Sequence, residues 1–398
     1  MLPLAVRSAL EIDLDPAISP YYLSFSAFLP LAVLMTAAFN IIFALNYNYI
    51  NKKWVSVLDV KIKYAKNVSL IGVFALISIS IFMISQLAGE VGGVLNLILM
   101  GYKVTEILSA SSQYAIAFDW LVAASMATLY SGYATKDTRR IYTGMVLVAL
   151  LIIVFAIMGR RAVLVVLAGG ALAGYHISVK KISLLTLISI ASILFLTLNF
   201  IGLTRGESYQ DASQIFSIIA DKGVVANEKE FGLFYTLTEG NFAVPFETFP
   251  QIIRTFGSEV QVGWGAYSIR GISFFIPSFL WEGRPDPLSV WYVNLFYGDA
   301  GKNIGRQFFI LTAPYMDFGI AGVFSFGIFL AWFFRFIIGF YDARRGDPFW
   351  GTALVLFLGS MLNLVSNDLL GFMVFFFKSS GIPLIFLYFS TRFKWGRA

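Results

Sequence analysis

Cysteine is absent from this 398-residue chain, and histidine occurs once, as His176. The lack of cysteine excludes disulfides, thiolate catalysis and metal sites with cysteine ligands, and a single histidine cannot form a cluster of histidine ligands. The sequence also contains no Walker A loop, dinucleotide-binding fingerprint, HExxH motif or GxSxG element. We therefore predict a protein without a metal ion and without a cofactor.

Charged residues are also scarce, at 13% of the chain, whereas 58% of the residues are hydrophobic. This balance is typical of a polytopic membrane protein and not of a soluble globular one. Several uncharged windows have the roughly 20 residues that a helix needs to cross the hydrocarbon core. The net charge of +6 fits cytoplasmic loops better than a nucleic-acid partner. No basic region follows Met1, so we expect no removable signal peptide.

Hydrophobic periodicity and length predict an all-α integral membrane protein that forms a single domain over residues 1–398. The predicted spans are 21–45, 68–88, 113–133, 141–158, 162–178, 182–203, 317–340, 349–367 and 371–390. The number rises to ten or eleven if residues 1–20 or 91–110 also cross. Residues 91–110 space their apolar side chains like an amphipathic helix on the outer surface. Pro314 and Asp317 argue against one continuous helix at the start of the seventh span.

The distribution of lysine and arginine predicts the orientation of the spans. If nine spans alternate, one side of the membrane receives the basic residues of the short loops and the tail, which include Lys52, Lys53, Lys61, Lys63, Lys66, Lys136, Arg139, Arg140, Lys180, Lys181, Arg344, Arg345, Arg392, Lys394 and Arg397. That side is predicted to be cytoplasmic and carries the C-terminus. The loop 204–306, between spans six and seven, then lies outside the cytoplasm.

This large loop is the first place to look for a functional site, because long ordered loops usually carry function. It contains 11 of the 23 acidic residues and five arginines. Guanidinium groups bind phosphate bidentately and keep their charge, so converging arginines suit a diphosphate. The candidates are Arg160, Arg161, Arg205, Arg254, Arg270, Arg284 and Arg306. The alternative is that arginines at helix ends extend towards lipid headgroups.

Carboxylates of the same loop are candidate bases. Glu239, Glu247, Glu282 and Asp286 lie among aromatic or proline residues, where partial burial would raise a carboxyl pKa towards neutrality. The sequence does not choose between them, and a solvated loop carboxylate is the alternative for each.

Two charged residues fall inside predicted spans. Asp119 and Lys378 lie at a similar depth from the outer ends of the third and ninth spans. Charges at such a depth usually pair or line a cavity. We therefore hypothesise a structural Asp119–Lys378 ion pair.

Three stretches around the loop carry a family resemblance: MGRRAVLVVLAGG (Met158 to Gly170), IGLTRGES (Ile201 to Ser208) and TAPYMDFGIAG (Thr312 to Gly322). In this order they resemble the oligosaccharide repeat-unit polymerases, the Wzy or O-antigen polymerase family, which are relatives of the O-antigen ligases. The first is similar to an arginine-bearing outer hairpin. The last is similar to a Tyr-x-x-Phe-Gly-x-x-Gly entry into the next span, and Arg254 and Gly265 match an Arg-x10-Gly spacing.

The resemblance implies a GT-C-like, metal-independent, inverting glycosyltransferase in the bacterial inner membrane, with its large loop in the periplasm. The donor would be a glycan on undecaprenyl diphosphate, and the acceptor would be the distal sugar of a second lipid-linked unit. Other expected partners are the lipid bilayer, a chain-length regulator and a flippase of the same pathway. On this basis the arginines bind diphosphate, Tyr315 contacts substrate, and Glu239 and Glu247 are candidate bases.

Three alternatives stay open. A lipid-linked glycan ligase differs only in its acceptor, although ligases use a histidine in the large loop and this loop has none. A polysaccharide or lipid transporter predicts internal symmetry and broken or charged helices at the bilayer midplane. No internal repeat is visible here, and the polar residues gather near the outer interface. A purely structural membrane subunit of a polysaccharide complex is the third.

Overall fold

The computed structural model describes residues 28–49, 68–100, 112–203, 244–276, 280, 281, 283, 285–297, 308–344, 346–365 and 368–392. Its α-helices are α1 (Leu29–Tyr49), α2 (Leu70–Glu90), α3 (Val94–Leu99), α4 (Ser112–Thr135), α5 (Thr138–Ile157), α6 (Arg161–Ser178), α7 (Leu184–Leu203), α8 (Val244–Thr255), α9 (Ala266–Ile269), α10 (Leu288–Tyr297), α11 (Thr312–Asp342), α12 (Pro348–Val365), α13 (Leu369–Phe376) and α14 (Ile382–Arg392). A 3₁₀ helix covers Arg270–Phe275, and a π-helix covers Phe377–Gly381. Within the described ranges no β-strand occurs.

The all-helical, membrane-like character predicted from the sequence is confirmed. Among the described residues, six helical stretches are long and apolar enough to cross a membrane: Leu29–Tyr49, Leu70–Glu90, Thr138–Ile157, Arg161–Ser178, Thr312–Asp342 and Leu369–Arg392. A helix lies at each of the nine predicted positions. That all nine of them span the membrane stays a prediction, as do the GT-C class and the extracytoplasmic loop.

Local signals explain where several helices begin and turn. The Ser69 hydroxyl accepts the Gly72 N–H at the start of α2, and Asp137 Oδ1 accepts the Arg139 N–H at the start of α5. Gly159, at a φ of +68°, makes the tight turn between α5 and α6. The predicted hairpin is therefore built on a glycine in the left-handed region.

The chain divides into two compact units. The first unit contains the described residues among Met1–Asp59, Leu237–Phe340 and Asn363–Phe375. The second unit contains those among Val60–Thr236, Tyr341–Leu362 and Phe376–Ala398. The prediction of a single integral domain over residues 1–398 stays a prediction.

The core of the second unit forms around α4, which packs against α2, α5 and α6. Small residues permit this close approach, as is usual between membrane helices. A Cβ atom on Gly144 of α5 would come 2.6 Å from Leu129 Cα of α4, and one on Gly132 would come 2.7 Å from the Ile141 nitrogen. Both glycines are therefore required by the contact between α4 and α5.

Several arginines of the predicted cytoplasmic side have structural partners within the second unit. Arg140 donates from Nη1 to the Val68 carbonyl and to the Ser131 hydroxyl, each at 3.1 Å. Arg392 donates to the buried Asp347 carboxylate at 3.1 Å, and its guanidinium lies over the Tyr388 ring. These basic residues therefore hold helix ends together within the second unit.

In the first unit α8 packs against α1, and α11 bends sharply. The bend lies at Gly319, which has a φ of 60° and a ψ of −142° and lies outside the helical region. A break near Pro314 and Asp317 was expected from the sequence. The helix instead begins at Thr312, includes both of these residues and kinks two residues after Asp317. A glycine with positive φ, and not proline, produces the break.

Candidate functional site

Near its kink, α11 binds a turn that lies about 50 residues earlier in the chain. We call residues 263–268 the capped turn, because the Asp317 carboxylate binds three of its N–H groups. Asp317 Oδ1 accepts the N–H groups of Gly265 and Tyr267 at 3.0 and 2.9 Å, and Oδ2 accepts that of Ser268 at 2.8 Å. Asp317 is fully buried, so these charge-assisted bonds satisfy a carboxylate that has left water.

Two backbone hydrogen bonds reinforce this capping. The N–H groups of Gly263 and Trp264 donate to the carbonyl oxygens of Met316 and Asp317, at 3.0 and 3.2 Å. Carbonyl groups at a helix break need partners from outside the helix. Here the capped turn supplies those partners.

Glycine is required at two positions of the capped turn. Gly265 has a φ of +96°, which a side chain rarely adopts. A Cβ atom on Gly263 would collide with the Tyr267 ring and the Asp317 carboxylate. Gly265 is the residue that matched the Arg-x10-Gly spacing, and its local role is to let the turn close on Asp317.

The capped turn forms one wall of a cleft. The cleft has a volume of about 570 Å³ and is lined by Val262, Gly263, Ala266, Tyr267, Ile269, Arg270, Ser273, Ile276, Trp281 and Pro285. This size lies within the range of small-molecule sites, which run from about 300 to 1,000 Å³. All lining residues belong to the first unit, and all lie in the loop predicted to carry the site.

Arg270 is the lining residue with the clearest ligand chemistry. Its guanidinium is half-buried, and its buried Nε has no hydrogen-bond acceptor within reach among the described residues. Burial lowers the pKa of Arg270 from its ordinary value, while the charge of Asp286 and the nearby Tyr267 act in the opposite direction. Arginine stays protonated in proteins, so a partly desolvated cation with an unused donor remains. An anion in the cleft would offset this charge.

Aromatic side chains complete the cleft. The Tyr267 ring packs against Trp291 of α10, with the ring centroids 5.4 Å apart. Burial raises the pKa of Tyr267, and the Asp317 charge adds to this effect. The Trp281 side chain is exposed at the cleft. Rings of this kind offer flat apolar faces beside a polar edge, which suits sugar rings.

Asp368 was missed by the sequence analysis and lies close to the cleft. It caps α13, because its Oδ1 accepts the Gly371 N–H at 2.7 Å. The first unit brings this turn against the cleft wall, since a Cβ atom on Gly271 would meet Leu370 and come 3.0 Å from the Gly371 nitrogen. Burial raises the pKa of the Asp368 carboxyl, although the Gly371 N–H acts in the opposite direction. A raised pKa suits a group that accepts a proton.

The raised pKa of Asp368 predicts a pH-dependent stability. The pKa of Asp368 in the folded protein lies above its value of about 3.9 in the unfolded chain, so protonation of this carboxyl stabilises the folded protein. This stabilisation is complete at a pH below the pKa of the unfolded chain, and it is lost as the pH rises through the pKa of the folded protein. We therefore expect the thermal midpoint of the wild type to fall, relative to that of Asp368→Asn, as the pH rises across this window. Asparagine keeps the Oδ1 acceptor, so parallel pH profiles of the two proteins in detergent would contradict the prediction.

The other predicted site residues have different positions. Glu239, Arg205, Arg284 and Arg306 lie outside the described residues. Glu247 lies in α8, but its side chain is also outside what the structure describes. Arg254 is half-buried in the last turn of α8. The convergence of Arg160 and Arg161 with Arg205 and Arg306 therefore stays a prediction.

Tyr315 is buried in the first unit. Its ring meets Phe249 of α8 edge-on at 5.7 Å, and the ring of Phe256 lies 4.9 Å away. The described contacts of Tyr315 therefore join α8 to the start of α11. Its predicted contact with substrate stays untested.

Arg160, in the second unit, lies beside a carboxylate. Arg160 Nη2 is 3.8 Å from Asp119 Oδ1, and the guanidinium lies over the rings of Phe118 and Phe155 at 5.6 and 5.7 Å. The hypothesis for Asp119 named Lys378 as its partner. The structure shows Arg160 beside Asp119, and it also brings the Lys378 backbone close, because the Trp120 indole donates to the Lys378 carbonyl at 3.1 Å. The Asp119–Lys378 ion pair stays a hypothesis.

Removing one member of the Asp119–Arg160 pair is expected to cost more stability than removing both. The two side chains are 12% and 18% exposed, so either would be left as a poorly solvated charge. The cost of each single substitution to alanine is expected to be roughly 3 kcal/mol, and that of Asp119→Ala with Arg160→Ala clearly less than the sum. Thermal unfolding in detergent of the four proteins of this cycle measures the difference. Additive losses would contradict the coupling.

The comparisons with known proteins leave the site to be interpreted from its own residues. No family model, no curated protein and no solved structure matches this chain. The half-buried arginine, the aromatic walls and the neighbouring carboxyl are therefore the basis on which a function can be inferred.

Proposed function

We propose that the protein is a polymerase that joins undecaprenyl-diphosphate-linked oligosaccharide repeat units into a polysaccharide, at the periplasmic face of the bacterial inner membrane. The observation that carries the proposal is Arg270, a half-buried cation with an unused donor in a cleft that aromatic rings also line. A lipid-linked glycan presents the two matching groups, a diphosphate and a sugar. The motif resemblance around the loop supports the same reaction.

The proposed reaction transfers a glycan from one lipid carrier to another. A hydroxyl oxygen of the acceptor sugar attacks the anomeric carbon of the donor, and the bond from that carbon to the diphosphate oxygen breaks. The electron pair leaves with undecaprenyl diphosphate, and the hydroxyl proton passes to a carboxylate. Arg270 binds the diphosphate, where its charge stabilises the developing negative charge.

The base is a choice among three carboxylates. Glu239 and Glu247 are the candidates from the sequence, and Asp368 is the candidate that the first unit adds. Asp368 is supported by its position behind the cleft wall and by a pKa that burial has raised. A carboxyl with a raised pKa takes up a proton more readily near neutral pH.

A reconstituted polymerisation assay tests the proposal. Purified protein is incubated with a synthetic undecaprenyl-diphosphate repeat unit, without nucleotide sugar or metal, and the products are separated by mass. We expect a ladder of multiples of the repeat unit. We expect Arg270→Ala to lower the rate roughly 100-fold or more, because it removes a charge that stabilises the leaving group. Arg270→Lys keeps the positive charge but loses the planar guanidinium that can bind a phosphate through two N–H groups, so an intermediate rate is expected.

Arg139→Ala is the matched control. Arg139 is an exposed arginine near the start of α5, in the second unit, so its substitution should leave the ladder unchanged. No ladder from folded wild-type protein would contradict the polymerase. Transfer of a single unit to a different acceptor would favour the ligase alternative. A ladder that survives Arg270→Ala would retain the activity and move the diphosphate site to other arginines.

A further inference from the structure

Trp264 projects from the capped turn with 78% of its surface exposed. Its φ is +51°, in the left-handed region that bulky residues avoid. The turn keeps it there, because the Trp264 N–H donates to the Asp317 carbonyl and glycines stand on both sides. The fold thus fixes a large apolar ring in an exposed position.

The ring of Trp264 packs against the N-terminal part of α11. It meets the Phe318 ring edge-on, with the centroids 6.3 Å apart. Beyond the kink, an exposed apolar stripe continues down one face of α11 at intervals of four residues: Ile320, Phe324, Ile328 and Trp332. Residues four apart lie above one another on a helix. Because α11 is a candidate membrane span, this stripe is the face that lipid chains would cover.

The length of α11 gives the depth of Trp264. From Ile320 to the end of the helix at Asp342 the rise is about 33 Å, at ~1.5 Å per residue, which matches a hydrocarbon core of ~30 Å. With Asp342 at one boundary, Ile320 lies at the other. Trp264, beside Phe318, then lies just outside the hydrocarbon. This is the level at which tryptophan rings are enriched in membrane proteins.

The same apolar surface runs into the cleft. Val262 and Ile269 are both exposed, and both also line the cleft that contains Arg270. Ile269 and Phe318 both lie beside Gly265, because a Cβ atom there would be 3.7 Å from Ile269 Cδ1 and 3.8 Å from Phe318 Cζ. The edge of the cleft therefore lies next to the Phe318 ring on which Trp264 packs.

We propose that Trp264 anchors the capped turn in the membrane interface, so that the cleft opens at the level of the lipid headgroups. A ligand could then place its phosphate at Arg270 while its lipid tail stays in the bilayer. The nature of that ligand rests on the proposed function, whereas the anchoring does not.

The depth of the cleft edge can be measured directly because the chain contains no cysteine. Ile269→Cys leaves Trp264 in place and accepts a single nitroxide spin label. In protein reconstituted into phosphatidylcholine vesicles, the relative collision rates with oxygen and with a water-soluble nickel chelate report the depth of the label. Ile328→Cys, at the third residue of the stripe, is the lipid reference. Glu259→Cys, in the exposed turn after α8, is the water reference.

We expect the Ile269 label to lie at a depth between the two references, and Trp264→Ser to move it towards the Glu259 value. A label at Ile269 as accessible to the nickel chelate as the one at Glu259 would overturn the proposal. So would an interfacial label that Trp264→Ser does not move. Gel filtration of each variant shows that it is folded. No glycan is present, so these outcomes are independent of the polymerisation assay.

Discussion

Asp317→Ala is expected to cost on the order of 3–5 kcal/mol of folding stability and to abolish the proposed activity. The substitution leaves the N–H groups of Gly265, Tyr267 and Ser268 without their acceptor. Hydrogen bonds to a charged group are worth about 1.5–3 kcal/mol each, and buried unpaired donors carry a further penalty. The midpoint of thermal unfolding in detergent should fall by roughly 5–10 °C or more.

Asp317→Asn gives a graded comparison. Its remaining oxygen can still accept the N–H groups of Gly265 and Tyr267, but its amide would face the N–H of Ser268. We expect an intermediate loss. Asp137→Ala is the matched control, since Asp137 also caps a helix but is partly exposed, and about 1 kcal/mol is expected there. Equal losses for Asp317→Ala and Asp137→Ala would show that the capped turn does not depend on Asp317.

Gly322→Ala is expected to be of similar severity, by a steric route. A Cβ atom at this position would overlap the Pro314 carbonyl oxygen and come 3.2 Å from Phe318 Cβ. The overlap involves backbone that the kink fixes, so it cannot be relieved by a side-chain rotation. We expect a loss of at least about 3 kcal/mol, at the upper end of overpacking effects. Thermal unfolding measures the loss of stability, and the ladder assay measures the effect on the proposed activity.

Gly89→Ala provides the control for Gly322→Ala. Gly89 lies near the end of α2, and a Cβ atom there would meet nothing within 4 Å. Alanine is the better helix former by about 1 kcal/mol, so this variant should be neutral or slightly more stable. A Gly322→Ala protein that unfolds at the same temperature as Gly89→Ala would mean that α11 can straighten without cost.

The sequence predicted the helices well, because long apolar runs are a local signal. It also named Arg270 of the large loop as a candidate, and this residue lines the cleft. It did not show that Asp317 binds a turn 50 residues earlier. The residues around Asp317 carry no signal for such a contact, and in the sequence Asp317 looks like a polar residue that interrupts a helix. The contact of Arg160 with Asp119 was missed for the same reason, because no local pattern in the sequence joins the two residues.

Motif residues were easier to find than to interpret. The Tyr-x-x-Phe-Gly-x-x-Gly match at Tyr315 suggested contact with substrate. The structure gives each of its members a packing or backbone role: Tyr315 is buried, Phe318 supports Trp264, Gly319 makes the kink, and Gly322 lies against Pro314. The contact of Tyr315 with substrate stays a prediction. Asp368 carries no sequence signal, since its raised pKa depends on burial by residues that are distant in sequence.

The dependence of the capped turn on Asp317 has a consequence for how the protein is made. The turn leaves the ribosome about 50 residues before its acceptor, which corresponds to roughly 3–10 s of synthesis. During that time the donors of the turn lack the carboxylate that binds them in the folded protein. The cleft therefore closes after α11 has been synthesised, so Arg270 acquires its partly buried environment late in biogenesis. A nascent chain that has not yet received its seventh predicted span would carry Arg270 without the cleft.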